Sequence, residues 1–382
     1  MCDVTILGSQ RGRFEIPDGV TYLNASYMTP QPRSVTDAGT AALRTGEHPW
    51  EVFAPDFFEP AEDARRLFAR IIGGDADGVA VVPSVSYGVG IAAANLHVGD
   101  GHSVVLLEEQ FPSNVYPWRE TAVRDGGGIV TVARRKGRTW TEGLLELIDE
   151  RTAVVAVPNV HWTDGSIVDL TAVGRAARDV GAALVVDATQ SLGAMPFDVG
   201  LIQPDFVIAA SYKWLLGPYS IGYLWAAPER RRGVPLEFGW ITREESEDFA
   251  GLIDYRDGFQ PGARRYDMGE RSNFILLPMA NAAMEQILDW GVANIADTIG
   301  ALTDRVGDLA AARGLEPIPP VERASHMTGI RLPGGVPVGL TERLLDDRVF
   351  VSLRGDSIRV APHLYNDADD VDRLFVSLDS VR

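Results

Sequence analysis

Two residues of this 382-residue chain put a nucleophile and an acid in surroundings that water barely reaches. In the stretch VVDATQSLGAMPFDVGLIQPDFVIAASYKWLLGPYSIGYL, Val185 to Leu224, Asp187 stands 26 residues before Lys213, and nearly everything else is apolar or small. The chain has 33 arginines but only two lysines, Lys136 and Lys213. That bias is compositional and is no evidence of function, but it makes a lysine inside a hydrophobic run conspicuous. An amine between VIAAS and WLLGP loses hydration, and a lysine so placed sheds basicity and becomes a nucleophile toward carbonyls. A capping aspartate and a solvated lysine would be the ordinary account of either residue alone. The apolar flanks of Lys213 argue against it.

These residues need a scaffold that aims them at one place. Seven short apolar runs, GVAVVPS, SVVLLEE, GIVTVARR, TAVVAVPNV, AALVVDAT, DFVIAAS and IGYLWAA, punctuate residues 78–227 and predict buried strands. Helical text such as TEGLLELIDERT and DLTAVGRAARDVG separates several of them. The alternation predicts an α/β fold: a mostly parallel sheet with helices on both faces. Ligands of such sheets collect at the carboxyl ends of the strands, and Asp187 and Lys213 both fall there. A carboxylate suits a pyridinium nitrogen that must stay protonated, and an amine of lowered basicity suits an aldehyde. Together they point to a Schiff-base site for pyridoxal 5'-phosphate.

Residues 229–273 are polar, charged and irregular, a length more often functional than connective. Helices are expected near Phe274–Trp290 and Val292–Arg313, then a small α+β unit: HMTGIRL, a helix at Leu340–Asp346, VFVSL, SIRVAPHLY, and a last helix from Asp367.

The Asp-to-Lys block, with TYLNASYMTPQP before it and IRVAPHLYNDADDVDRLF after it, resembles the class V aminotransferase group of fold-type I pyridoxal phosphate enzymes. That group includes cysteine desulfurases, kynureninases and epimerase-like enzymes, and the resemblance covers nearly the whole chain. It implies a large cofactor-binding domain over residues 30–265 and a smaller α+β domain built from 1–29 and 266–382. It also implies a homodimer with shared active sites. Lys213 resembles the Schiff-base lysine and Asp187 the partner of the ring nitrogen. Gln190 and Asn159 match residues near the phenolic oxygen of the cofactor. Phe111 falls where the family lays a ring over the pyridine, and phenylalanine there sides with the kynureninases, since desulfurases carry histidine. Ser84, Val85 and Ser86, at a strand-to-helix turn, offer hydroxyls and helix N-terminal amides to the phosphate. A serine pair at a helix start is by itself usually only a cap.

Tyr212 resembles the kynureninase tyrosine that reaches the phosphate, and Ser211 is placed to join it. Glu270 and Ser272 lie in a segment, Gly269–Asn273, that reaches the neighbouring subunit's phosphate in family dimers. On the substrate side, Arg359 matches the arginine that clamps the α-carboxylate, a task its planar fork suits. Arg354 is the second choice. Asn24, Ala25 and Tyr27 match the segment lining the substrate side, and His161 with Trp162 are further candidates to face substrate.

Composition excludes several other classes. A formal charge of −18 opposes nucleic-acid binding. No apolar run approaches the ~20 residues of a membrane span, and the N-terminal text lacks the pattern of a signal peptide, so a cytoplasmic protein is expected. The one cysteine, Cys2, allows neither an internal disulfide nor a cysteine metal cluster, so no metal is expected. ILGSQRG lacks the third glycine and the later acidic residue of a dinucleotide fingerprint. A decayed, non-catalytic relative would have lost Asp187 or Lys213.

The fold leaves the reaction open. A persulfide-forming desulfurase needs a cysteine before the C-terminal arginine, and LLDDRVFVSLRGDSIR has none. The favoured expectation is β-elimination, a C–S lyase acting on cysteine or a cysteine S-conjugate, with the long segment 229–273 admitting a bulky substituent. Transamination is the alternative, followed by a kynureninase-like hydrolysis or a decarboxylating or oxidative deaminating variant.

Overall fold

The computed structural model describes residues 5–381; Cys2 lies outside them. Near the start, Thr21–Tyr22 (β1) precedes the helices Arg33–Leu43 (α1) and Glu59–Ile72 (α2). All seven expected strands form, as Val79–Val82 (β2), Ser103–Leu107 (β3), Gly128–Val132 (β4), Thr152–Pro158 (β5), Ala183–Asp187 (β6), Phe206–Ala210 (β7) and Gly222–Ala226 (β8). They make one sheet in the order β2-β8-β7-β6-β5-β3-β4. Every neighbouring pair is parallel except the two made by β8, which runs against β7 and β2.

Strands β2, β6, β7 and β8 are buried along their whole length, as continuous apolar runs with helices on both faces should be. The covering helices Val85–Asn95 (α3), Tyr116–Asp125 (α4), Trp140–Leu147 (α5), Leu170–Asp179 (α6) and the short Val199–Ile202 (α7) follow their strands in sequence. Local chemistry starts and stops them. Thr139 and Glu142 form a capping box on α5. Asp169 accepts from the amides of Thr171 and Ala172 to open α6.

Residues 229–273 contain only short 3-10 turns. They are nevertheless anchored: Met268 donates its amide to Val81 at 3.0 Å, and the wholly buried Asp267 pairs with Arg65 and accepts from Val81 N at 2.8 Å.

Two long helices, Leu276–Trp290 (α8) and Val292–Ala311 (α9), lead to the remaining sheet. It contains Glu316–Pro317 (β9), Thr328–Arg331 (β10), Ser352–Arg354 (β12) and Ser357–Val360 (β13) in the antiparallel order β12-β13-β10-β9. Val349–Phe350 (β11) pairs with β1 instead, and the helices Leu340–Asp346 (α10) and Ala368–Asp379 (α11) pack nearby. Leu23, Val306, Ile330, Ile358, Leu374 and Phe375 share a buried cluster of their own. Among the described residues no helix is long and apolar enough to cross a membrane.

Candidate active site

The strand order reverses between β3 and β5: the chain runs out from β3 to edge strand β4 and returns to β5 on the other side. A crevice opens at such a switch point. The cleft there is lined by Ser84, Val85 and Ser86 after β2, and by Gln110 and Phe111 after β3. Pro158 at the end of β5, Val160 and Trp162 beyond it, Asp187 and Gln190 from β6 onward, and Tyr212 and Lys213 after β7 also line it. Parallel strands thus deliver residues more than a hundred positions apart to one place.

The loop that carries Lys213 is tightly held. Ala210 pairs with Gly222 across the antiparallel β7–β8 ladder, and Ser211 N donates to Ile221 O at 3.0 Å. Within it Leu216 (φ 58°) and Ser220 (φ 67°) adopt the left-handed conformation that side chains rarely take. Gly217 permits the close approach to Ser211, since a Cβ there would overlap Ser211 Oγ.

Lys213 is 7% exposed and its Nζ lies 5.4 Å from the centroid of the Phe111 ring. Burial lowers its pKa from 10.5 to about 8; Asp187 opposes that shift, while Arg359 and Arg354 add to it. Burial pushes the Asp187 carboxyl up, against hydrogen bonds from Thr189 and the attraction of Lys213. The amide of Thr189 donates to Asp187 Oδ1 at 3.1 Å. Gln190 is fixed at both ends, with Nε2 donating to Ser26 O at 3.1 Å and Oε1 accepting from Trp214 Nε1 at 2.9 Å. Tyr212, held near Tyr219 at 4.6 Å between centroids, has its phenol raised to about 12, chiefly by burial.

Ser84 caps α3, its Oγ accepting from Tyr87 N at 3.2 Å and lying 3.0 Å from Ser86 Oγ. Ser211 is wholly buried beneath the loop. The N-terminal segment joins from the side: Ala25 N donates to Ala361 O and Thr29 N to Tyr212 O, while Tyr27 is exposed and Asn24 Oδ1 accepts from Ser352 Oγ. Arg359 is buried, giving Nη1 to Trp162 O at 2.6 Å and Nη2 to Ser352 Oγ at 3.3 Å. Its pKa falls to about 9, through burial first and then Arg354.

Among the sequence candidates, Asn24, Ala25, Tyr27, Ser211, Arg354 and Arg359 are not part of this lining, and neither are Asn159, His161, Glu270 and Ser272. Asn159 points to the opposite side of β5 from Pro158 and Val160, donating to Val168 O and lining a separate groove. His161 is sealed under Trp140, whose ring stacks on it at 5.1 Å, and its nitrogens meet Thr163 Oγ1 and Glu108 O. Glu270 is exposed, and Ser272 donates to Phe57 O; the contact expected of both is with a neighbouring subunit's phosphate rather than with this cleft. No described residue of 229–273 lines the cleft, so the bulky-substituent gate expected of that segment is not part of it within one chain. Conversely, Gln110, Ser113, Thr189, Tyr219 and Ser220 line it without having been singled out. For Tyr219 and Ser220 the signal was available, since they belong to the same short loop as Lys213.

The model of the family described as aminotransferase class-V matches residues 21–374. The chain belongs to that family. It is a pyridoxal 5'-phosphate-dependent enzyme with the fold-type I architecture. It is similar to the uncharacterized aminotransferase YcbU of Bacillus subtilis, with 29% identity over 90% of this chain and 88% of that protein. Its fold matches the cysteine desulfurase of Thermococcus onnurineus NA1, with a TM-score of 0.86, 21% identity, and coverage of 100% and 99% of the two chains. It also matches C-DES, a cystine C–S lyase, in a form with glycine covalently linked to its PLP cofactor. That match has a TM-score of 0.87 and 17% identity over 98% and 100% of the chains.

The residues present fit this cofactor. Asp187 is a buried carboxylate with no salt bridge among the described residues, so it lacks the cation a pyridinium would provide. An amine, an aromatic face and a helix N-terminus with two hydroxyls complete the set around the same cleft.

Proposed function

We propose that the enzyme cleaves the C–S bond of a cysteine-derived amino acid by β-elimination, with Lys213 as the base. The observation that carries this reading is the buried Lys213 amine in the same cleft as the Asp187 carboxylate, with Nζ 5.4 Å from the Phe111 centroid and its basicity lowered by burial. When bound, pyridoxal phosphate supplies an electron sink that makes the bonds at Cα labile. Asp187 would hold the ring nitrogen protonated, and Phe111 would cover the ring face. Ser84, Ser86 and the first amides of α3 would take the phosphate. Arg359 would grip the α-carboxylate; its Nε makes no hydrogen bond in the protein. Lys213, its basicity lowered by burial so that a sizeable fraction is unprotonated at physiological pH, would remove the Cα proton. Loss of the sulfur substituent as a thiolate, then addition of water, gives pyruvate, ammonium and a thiol, which balances R–S–CH2–CH(NH3+)–COO− plus water.

Support for elimination over persulfide transfer comes from the segment preceding Arg359, which carries no cysteine to receive sulfur. The test is to incubate the cofactor-loaded protein with L-cysteine and its S-conjugates. Pyruvate and thiol accumulating over many turnovers, with the cofactor spectrum recovering unaided, is the expected result. Conversion of the cofactor to its amine form, reversed only by a keto acid, would make the enzyme a transaminase. The family's homodimeric arrangement is proposed for this chain too, and a sedimentation measurement decides it.

A further inference from the structure

Resting on the reading of Lys213 and Arg359 above, we infer that Arg354 binds a second carboxylate, so the substrate is an amino acid whose side chain ends in an acid group. In the β12–β13 ladder Ser352 pairs with Arg359 and Arg354 with Ser357. Arg354 is two residues from Ser352 and therefore shares a sheet face with Arg359. Residues in that diagonal relation have Cα atoms about 7–8 Å apart, so the two arginines are neighbours on one face and each can present its own guanidinium to a ligand there.

Both guanidinium groups brace Trp162, which lines the cleft with Lys213. Arg359 Nη1 donates to its carbonyl, and Arg354 Cζ lies 5.3 Å from its indole centroid. Arg354 gives Nη1 to Leu353 O at 2.7 Å, and its buried Nε makes no hydrogen bond in the protein. Elsewhere in the same unit Arg305, Arg313 and Arg331 each pair with aspartate. Among the described residues neither Arg354 nor Arg359 has a carboxylate partner, in a chain with 53 acidic residues against 35 basic ones.

Arg354 and Arg359 thus set two guanidinium cations beside Trp162, where Asp187 is the one carboxylate among the residues lining the cleft. The α-carboxylate common to every amino acid answers one arginine. A distal carboxylate answers the other, through a charge-assisted bond that a neutral side chain cannot make. Leaving Arg354 without an anion costs the neutral competitor, which is how such a residue selects.

The test uses the cofactor-loaded protein and two five-carbon probes, glutarate and valerate, measured by calorimetry. Glutarate should bind at least tenfold tighter than valerate. Arg354→Gln should abolish that preference while leaving valerate unchanged, and Arg359→Gln should weaken both. Equal affinities in the unaltered protein overturn the inference without any variant having to fold. Arg354→Gln weakening both probes alike overturns it too, assigning Arg354 to the first carboxylate. A protein that never develops the visible absorption of a lysine-bound cofactor refutes the reading of Lys213, and this inference with it.

Discussion

The scarcity of lysine turns the central acid–base claim into a measurement on two signals. Metabolic labelling with 13C-lysine gives one resonance from exposed Lys136 and one from buried Lys213. In the cofactor-free protein, Lys213 should titrate at about 8 rather than its ordinary 10.5. That difference corresponds to about 3 kcal/mol against the charged form. At pH 7.5 it raises the neutral, nucleophilic fraction by about two orders of magnitude. Burial dominates the shift and the Asp187 carboxylate partly offsets it. Asp187→Asn removes the offset, so the midpoint must fall further and never rise. The sign for stability follows: a lysine lowered on folding penalises the folded state most below about 8, and that penalty fades as pH rises toward 10.5. A midpoint near 10.5 in the unaltered protein, or an upward move in Asp187→Asn, would refute the account of how this amine is activated.

Arg359→Lys should raise KM for every amino acid at least tenfold with the cofactor spectrum unchanged; a loss of the spectrum instead would make Arg359 structural. Gly217→Ala should lower stability by about 1–3 kcal/mol, because overpacking against Ser211 shifts the lysine loop, and thermal melts compared with cofactor retention check both halves. His363 is wholly buried among Phe14, Trp214 and Tyr365 with neither ring nitrogen bonded, and burial holds its pKa at about 3. The unfolded chain takes up its proton near 6.5, so stability drains away as pH falls from 6.5 toward 3. His363→Phe should flatten that slope in denaturant titrations. Asp267→Ala leaves the buried Arg271 without its carboxylate partner and Arg65 with Glu62 alone, and should cost about 3–5 kcal/mol, read from urea midpoints.

The seven main strands were legible because each is an apolar run too short for a helix and bounded by turn residues. Asp187 and Lys213 were legible because polar groups in such runs have few places to go. The antiparallel course of β8 was not, since IGYLWAA has the same composition as its parallel neighbours. The positions of Asn159 and His161 depended on which side of an extended segment each one faces. Counting alternate residues from Pro158 would have turned Asn159 away from the cleft, but nothing local reveals that Trp140 comes to lie on His161. That Arg354 and Arg359 share a sheet face needs the β12–β13 register, because five residues of separation around a turn fix no common face.

The hairpin between β7 and β8 has a consequence for how this enzyme can diverge. Its tip carries Lys213, and both stems lie inside the sheet, with β8 held between β7 and β2. An inserted residue there would have to be absorbed by two ladders at once, so the tip tolerates exchange of side chains but not a change of length. The span 229–273 contributes nothing to the cleft lining among the described residues and ends in the Asp267–Arg65 anchor. It can lengthen, shorten or acquire new contacts while the amine stays where it is. Chemistry and surface are therefore free to drift at different speeds in descendants of this chain.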